Sequence, residues 1–460
     1  MERDKLDFET MKIGPLFRAI FFPTLIGMIF TSLITVIDGM FVGHGVGAGG
    51  IASVNIVAPT FMIATGIGLM FGIGASVIAS IKLSESNIKA AKIIMTQGFI
   101  AATVLASLMV AVILIAPEWT LRLLGCSTEL KSNALDYMLF LAPSLIFVMI
   151  QCIGMMLIRL DGSPKYAMWC QAIPAVLNII LDYIMIFPMG MGVKGAAVAT
   201  SISCVVGGLM ALSYFFWFSA KLKFYKLKST RKSFLLTLRN VCYMTKIGFA
   251  TFLTEIAMSV MMITGNYMFL SQLGEQGVAA YSIACYLFPV VFSIANAVAQ
   301  SAQPIISFNY GANNNERVRQ TLKVSLLAAL ICGLSVTFGI SAGAIPIVFA
   351  FLSPEEPAFE IATSGLPLFS ICSLFFAVNI TFIGYYQSLE KAVRSIIYTL
   401  LRGIVLLIPS FVIIPTLLGE KGLWLAIPMA EFLTAVIIIA FFVSNSSKHS
   451  TRAFELNKLN

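Results

Sequence analysis

Four carboxylic acids lie inside long apolar stretches of this sequence, where carboxylates are rare: Asp38, Asp182, Glu255 and Glu431. A carboxylate in hydrocarbon costs about 2.5–3.5 kcal/mol on insertion scales, so each acid should face a cavity or a partner. Burial also disfavours the charged form of an acid, which favours proton uptake near neutral pH. These acids are therefore the first candidates for ion binding.

An oxygen-rich cluster is predicted around two of the acids. Asn178 and Asp182 are four residues apart, so they share one face of a helix. Asp38, near the predicted end of the first apolar helix, and Thr200, in the sixth, could reach them at a similar depth. Two carboxylates, an amide and a hydroxyl suit a shared proton or a small cation such as Na⁺. The alternative is that Asp38 and Asp182 lie at an outer interface and only cap helix ends.

The other two acids stand alone in the second half of the chain. Glu255 lies about half a helix deep in its apolar stretch. It could attract a cation from the wall of a cavity, or it could pair with Lys246 or Arg402. For Glu431 the simpler interpretation is a structural hydrogen bond to a neighbouring helix.

Pro23 lies within the first apolar helix, ahead of Asp38. Proline removes a backbone hydrogen bond and can kink a membrane-spanning helix. We therefore expect a hinge at Pro23 that changes the position of Asp38. The alternative is a proline without such a role, as many helices contain.

The composition is that of an integral membrane protein. The 460 residues are 59% hydrophobic and 11% charged, whereas soluble domains are about 25% charged. The net charge of +9 lies mostly in short loops, where it indicates membrane topology rather than nucleic-acid binding. The eight cysteines form no metal pattern, and no metal or nucleophile cluster suggests an enzyme. We expect no cofactor.

The apolar stretches predict an all-α protein with twelve transmembrane helices. The predicted helices are 15–38, 50–81, 93–116, 134–158, 168–188, 194–219, 243–270, 278–308, 321–350, 361–386, 394–415 and 421–444. Most Lys and Arg residues fall in the segments that share a side with both termini. Both termini are therefore predicted to be cytoplasmic.

An internal repeat appears when the sequence is shifted by 227 residues. Thr24 then falls on Thr251, and far downstream Pro188 falls on Pro415. Each repeat has six helices, which predicts two six-helix bundles related by a pseudo-twofold axis along the membrane normal. Such pairs enclose a cavity and work by rocking, which favours a transporter. The predicted domains are an N-terminal bundle (1–218), a basic cytoplasmic linker (219–242), a C-terminal bundle (243–445) and a cytoplasmic tail (446–460).

The repeat provides an internal control for the polar residues. In the second half the positions of Asp38, Asn178, Asp182 and Thr200 are taken by Gly265, Val405, Pro409 and Ile427. Conversely, Met28 takes the position of Glu255 in the first half. Packing shared by the two halves therefore does not require these polar residues.

At these positions the chain resembles the multidrug and toxic compound extrusion (MATE) transporters over essentially its full length. The run Asp38-Gly-Met-Phe-Val-Gly43 resembles the end of that family's first helix. Asn178 and Asp182 resemble its cation site in the N-terminal lobe, and Thr200 resembles the hydroxyl of that site. Pro23 lies where some members have a bending proline.

In the second half the resemblance is to a bacterial branch that exports cationic drugs. The segment 422–435 resembles its last helix, and Glu255 matches an acid of the norfloxacin exporters. That branch also has an aspartate in helix 10, where this chain has Asn379 as its nearest polar residue. A complete second cation site is therefore not expected.

The resemblance implies a secondary active exporter that exchanges lipophilic organic cations for H⁺ or Na⁺ in the inner (plasma) membrane. We expect a monomer whose partners are small cationic drugs and the lipid bilayer. The alternative is a flippase with the same fold for a lipid-linked precursor. Its diphosphate would require a cavity lined with Arg or Lys, whereas Arg402 is the only clear cation in the middle of a predicted helix.

Overall fold

The fold is described from a computed structural model over residues 6–126 and 130–458, with the backbone alone at 35, 36, 48, 51 and 445–458. These residues form α-helices with short 3₁₀ and π turns and no strands. The helices are α1 (Ile13–Val46), α2 (Ala48–Ser84), α3 (Ile88–Ile115), α4 (Pro117–Leu123), α5 (Lys131–Leu141), α6 (Leu145–Leu160), α7 (Pro164–Ile186), α8 (Gly192–Ser213), α9 (Arg231–Gly311), α10 (Asn315–Ala342), α11 (Ala344–Phe349), α12 (Pro357–Ser370), α13 (Cys372–Ser388), α14 (Ala392–Leu400), α15 (Leu407–Leu418) and α16 (Glu420–Lys458).

Eleven helical segments in the described residues are long and apolar enough to cross a membrane. One of them, α9, has 81 residues and contains two of the twelve predicted helices. Those two helices meet at Gly274, where the backbone leaves the helical region at φ 63° and ψ −157°. Glycine adopts this conformation readily because it has no Cβ. The prediction of twelve membrane helices is thus confirmed.

The predicted repeat also appears in the backbone conformation of the turns. Gly47, between α1 and α2, has a φ of 86°, and its counterpart Gly274 has a φ of 63°. Gly192, at the start of α8, has a φ of 58°, and its counterpart Gly419 has a φ of 61°. Equivalent turns therefore occur at one sequence offset in both halves.

The chain divides into two compact units that do not coincide with the halves of the sequence. The first comprises Met1–Ile256, Ala297–Ser325 and Gly384–Ala392. Within it α1 packs along α7, and α2 packs against α6. These contacts bring the polar residues of the first repeat together.

The second unit comprises Ala257–Asn296, Leu326–Ile383 and Val393–Asn460. In it α16 packs against α12 and α15. Trp424 of α16 lies edge-on to Phe269, with 4.9 Å between the ring centroids. The aromatic packing leaves no room for a larger residue at Gly365, since a Cβ there would overlap the Trp424 ring.

Two glycines of the first unit allow α2 and α9 to cross in backbone contact. A Cβ added at Gly74 would overlap the carbonyl group of Met244, and one added at Gly248 would overlap that of Met70. The contact is reciprocal, because each helix supplies one glycine and one facing carbonyl. We call these four residues the glycine crossing.

Asp161 holds the chain that follows α8. Its carboxylate accepts hydrogen bonds from Tyr214 Oη at 2.7 Å, from Ser219 Oγ at 3.1 Å and from the backbone N–H groups of residues 220–222 at 3.0–3.1 Å. The helix predicted to begin at 243 begins instead at Arg231. There Thr230 caps the helix by accepting a hydrogen bond from the backbone N–H of Ser233 at 3.2 Å.

Candidate functional site

Asp38 and Asp182 lie next to one another, on α1 and α7. Their carboxyl groups are close enough to interact, and the Asp182 side chain is fully buried. The first helix continues to Val46, so Asp38 lies about two turns inside α1 rather than near its end. The backbone N–H groups that close α1 and α7 are bonded to backbone carbonyls of their own helices. The interpretation of these acids as helix caps is therefore wrong.

A proline and a glutamine position α7 near the acids. Pro174 cannot donate a backbone hydrogen bond to the carbonyl of Cys170, four residues earlier. Gln151 Nε2 of α6 donates to that carbonyl instead, at 2.6 Å. This hydrogen bond connects α7 to α6 about two helical turns before Asn178, and α7 continues through Pro174 without interruption.

The cluster contains buried oxygen atoms without donors. Asp38 Oδ1, both carboxylate oxygens of Asp182 and Asn178 Oδ1 have no hydrogen-bond partner in the described part of the chain. An unsatisfied buried polar group costs about 1–3 kcal/mol, and more when it is charged. Adjacent carboxylates also resist joint ionisation. The arrangement therefore calls for a proton or a cation between these oxygens.

Asn178 and Thr200 lie beside one another, and Tyr137 is a neighbour that the sequence did not suggest. Asn178 Nδ2 lies 3.4 Å from Thr200 Oγ1, where it can donate a weak hydrogen bond. Tyr137 of α5 is buried, interacts with Thr200 and lies near both acids. In the sequence Tyr137 resembles ordinary core, because one tyrosine in an apolar helix carries no signal of its own.

The cluster consists of hard oxygen donors. Carboxylate and amide oxygens suit H⁺ or a small cation such as Na⁺. Among the described residues no group of three His, Cys, Asp or Glu side chains could hold a metal ion. The chemistry of the donors thus fits exchange of a coupling ion.

Glu255 lies apart from the cluster, on α9. It is 8% exposed, lies against Gly66 of α2 and is near the thiol of Cys152. Neither of its suggested partners forms a salt bridge with it in the described part of the chain, since Arg402 pairs with Glu431 instead. Glu255 is thus a buried acid without a salt bridge among the described residues.

Pro23 lies about four helical turns before Asp38. It is inside α1, which runs as one helix from Ile13 to Val46. Its side chain is partly exposed. A bend at Pro23 would displace every residue between it and Val46, including Asp38.

Glu431 belongs to a buried ion pair in the second unit. Its Oε1 accepts from Arg402 Nη2 at 2.8 Å and from Nε at 3.0 Å. Its Oε2 accepts from Asn379 Nδ2 at 2.7 Å. The structural hydrogen bond predicted for Glu431 is confirmed, and it proves to be charge-assisted.

The MatE family model matches this chain twice, at residues 23–184 and 250–413. The two matches begin 227 residues apart, which is the interval of the internal repeat. The multidrug export protein MepA of Staphylococcus aureus (strain NCTC 8325 / PS 47) is 27% identical over 434 residues, which cover 92% of each chain.

Solved structures share the fold. A multidrug resistance MATE transporter of the MOP superfamily in an outward-facing conformation superposes with a TM-score of 0.89 at 21% identity. The match covers 98% of this chain and 100% of the other. A MOP superfamily transporter from Pyrococcus furiosus, whose reversed pocket polarity suggests a different function, has a TM-score of 0.87 at 21% identity. That match covers 96% of this chain and 97% of the other. Because the family model covers most of the chain in two successive copies, the protein belongs to the MatE family.

Proposed function

We propose that the protein is a secondary active exporter that exchanges lipophilic organic cations for H⁺ or Na⁺. The observation that carries the proposal is the set of buried oxygens without donors at Asp38, Asn178 and Asp182. The names of the curated relatives, multidrug export proteins, support the export of drugs. The coupling ion binds at these oxygens.

Coupling follows from the electrostatics of the two adjacent acids. Without a bound proton or cation, both carboxylates carry charge in the site, and their repulsion favours separation of α1 from α7. A proton or Na⁺ removes the repulsion and supplies the missing contact between the oxygens. The loaded and empty forms thus favour different positions of α1, with Pro23 as the hinge.

Glu255 attracts the organic cation. A buried carboxylate without a salt bridge in the described part of the chain gains most from a cationic ligand, because the ligand replaces lost hydration with a charge partner. Its neighbours Gly66 and Cys152 do not weaken the attraction of the Glu255 carboxylate for a cation, since neither carries a positive charge.

The test is reconstitution into liposomes with H⁺ and Na⁺ gradients imposed separately, and ethidium as the cationic probe. We expect one of the two gradients to drive ethidium export by the native chain and to fail with Asp38→Asn. The matched control is Asp136→Asn, which removes an acid paired with Lys194 at 3.2 Å near the surface. Full export by a well-folded Asp38→Asn variant would overturn the assignment.

The second candidate is a flippase for a lipid-linked precursor, and the side chain of Arg159 favours it. This guanidinium is 1% exposed, and its Nε and Nη2 have no hydrogen-bond partner in the described residues. Such a group would bind a diphosphate well. Geranylgeranyl diphosphate should then raise the unfolding temperature of the native chain but not that of Arg159→Gln. Equal unfolding temperatures with and without the diphosphate would leave the exporter as the better assignment.

A further inference from the structure

The carboxylate of Glu431 is saturated with donors, unlike that of Asp182. Arg402 approaches it with Nε and Nη2, and Asn379 Nδ2 also donates to the Glu431 backbone carbonyl at 2.9 Å. Arg402 and Glu431 are each only 3–4% exposed. A buried carboxylate with a guanidinium and an amide on its oxygens has no need of a proton or a free cation.

Two contacts hold the Arg402 side chain, one with Glu431 and one with Phe376. It lies in the π-helical turn Leu401–Val405, which joins α14 to α15, and such turns frequently occur at functional sites. Its guanidinium carbon lies 4.5 Å from the centroid of the Phe376 ring, a cation–π contact. Arg402 therefore cannot leave Glu431 without giving up two favourable contacts.

This arrangement is confined to the second repeat. At the offset of 227 residues the counterparts of Asn379, Arg402 and Glu431 are Cys152, Ala175 and Cys204. The first repeat has two acids and no cation in its cluster, whereas the second has one acid with a covalently tethered cation. The Asp38–Asp182 pair and Glu431 therefore differ in how the charge of the buried acid is met.

We propose that Arg402 is a built-in counter-cation for Glu431, which keeps this acid from taking up either the coupling ion or an organic cation. Ion coupling is thereby confined to the first half, and removal of Arg402 opens a second cation-binding site at Glu431. This inference rests on the proposed function only in assigning the coupling ion to the first half. The ionisable groups that face Glu431 in the described part of the chain are Arg402 and the thiol of Cys372.

The experiment counts protons bound by purified protein as the pH is lowered through the neutral range. Four variants are compared with the native chain: Glu431→Gln, Arg402→Gln, Arg402→Lys and the double variant Arg402→Gln/Glu431→Gln. Arg402→Lys retains the charge, whereas Arg402→Gln removes it and retains hydrogen-bonding capacity. The infrared band of a protonated carboxylic acid provides a second readout for Glu431 itself.

We expect Arg402→Gln to bind one proton more than the double variant and to show the carboxylic-acid band. The native chain and Arg402→Lys should bind the same number as Glu431→Gln and lack the band. An extra proton in the native chain relative to Glu431→Gln would overturn the inference, as would equal counts for Arg402→Gln and the double variant. If Arg402→Gln does not fold, the comparison of native chain and Glu431→Gln still decides between the two outcomes.

Failure here is distinguishable from failure of the proposed function. Ethidium export driven by a gradient in Asp38→Asn would refute the ion site of the first half and leave the proton count at Glu431 unchanged. Conversely, titration of Glu431 in the native chain would refute the role of Arg402 and leave the Asp38 result standing.

Discussion

The glycine crossing should tolerate no side chain at Gly248. A Cβ at this position would lie 2.6 Å from the carbonyl carbon of Met70, whereas ordinary contacts begin at 3.4 Å. The carbonyl oxygen of Met70 would lie closer still, so the two helices would have to separate by more than the ~0.8 Å that the carbon alone requires, because a backbone atom cannot rotate away as a side chain can. Overpacking of this kind costs about 1–3 kcal/mol. With a backbone obstacle on the far side, we expect the upper end of that range.

A matched control variant separates the cost of overpacking from the gain in helix propensity that any Gly→Ala change brings. Gly339 of α10 has nothing within 4 Å of its added Cβ, so Gly339→Ala reports only the gain in helix propensity, about 1 kcal/mol. Gly248→Ala should therefore unfold about 2 kcal/mol more easily than the native chain, and Gly339→Ala slightly less easily. The assay is unfolding of the detergent-solubilised protein with increasing temperature.

The reasoning can be refuted by two results. Equal unfolding temperatures for Gly248→Ala and Gly339→Ala would mean that the crossing is not in backbone contact. Strict additivity of Gly74→Ala and Gly248→Ala would mean that the two sites are independent, because changes at one shared contact should not add. We expect the second substitution to cost less than the first, since the helices have already separated.

Three further outcomes are expected. Asp38→Asn and Asp182→Asn should each fold and lose gradient-driven export, and the double variant should be little worse than either, because the acids act as a unit; additive losses in an export assay would contradict this. Glu255→Gln should weaken export of cationic drugs more than that of neutral ones, and an equal loss in both classes would point to folding instead. Gly274→Ala should destabilise the chain by about 1–3 kcal/mol in thermal unfolding, since a φ of 63° with a ψ of −157° is strained for alanine; an unchanged unfolding temperature would show that the turn relaxes.

The length of the apolar stretches and the internal repeat predicted the helices well. The thickness of the bilayer sets the length that a spanning helix needs, and the repeat is visible in the sequence alone. The end of the first helix was predicted too early, at Asp38. A charged residue usually ends an apolar run, but here the acid lies inside α1, and the helix ends before Gly47, where φ turns positive.

The members of the candidate site could be predicted only where the residue type is unusual for its surroundings. Asp38 and Asp182 are conspicuous in hydrocarbon, whereas Tyr137 is not. Arg159 directly follows the predicted helix 134–158, where a solvated loop residue is expected, yet its side chain is almost fully buried. The pairing of Arg402 with Glu431 depends on helix packing, which spacing along the chain does not contain.

The hydrogen bonds to Asp161 have a consequence for proteolysis. The segment after α8 is rich in lysine, after which trypsin cleaves. Trypsin needs a stretch of backbone that can detach and enter its cleft. Because Asp161 holds the N–H groups of residues 220–222, the bonds around Lys221 are withheld from the protease although the side chain is exposed. One buried carboxylate thus protects the covalent connection between the two repeats, and loss of that carboxylate would first appear as a chain cut in half.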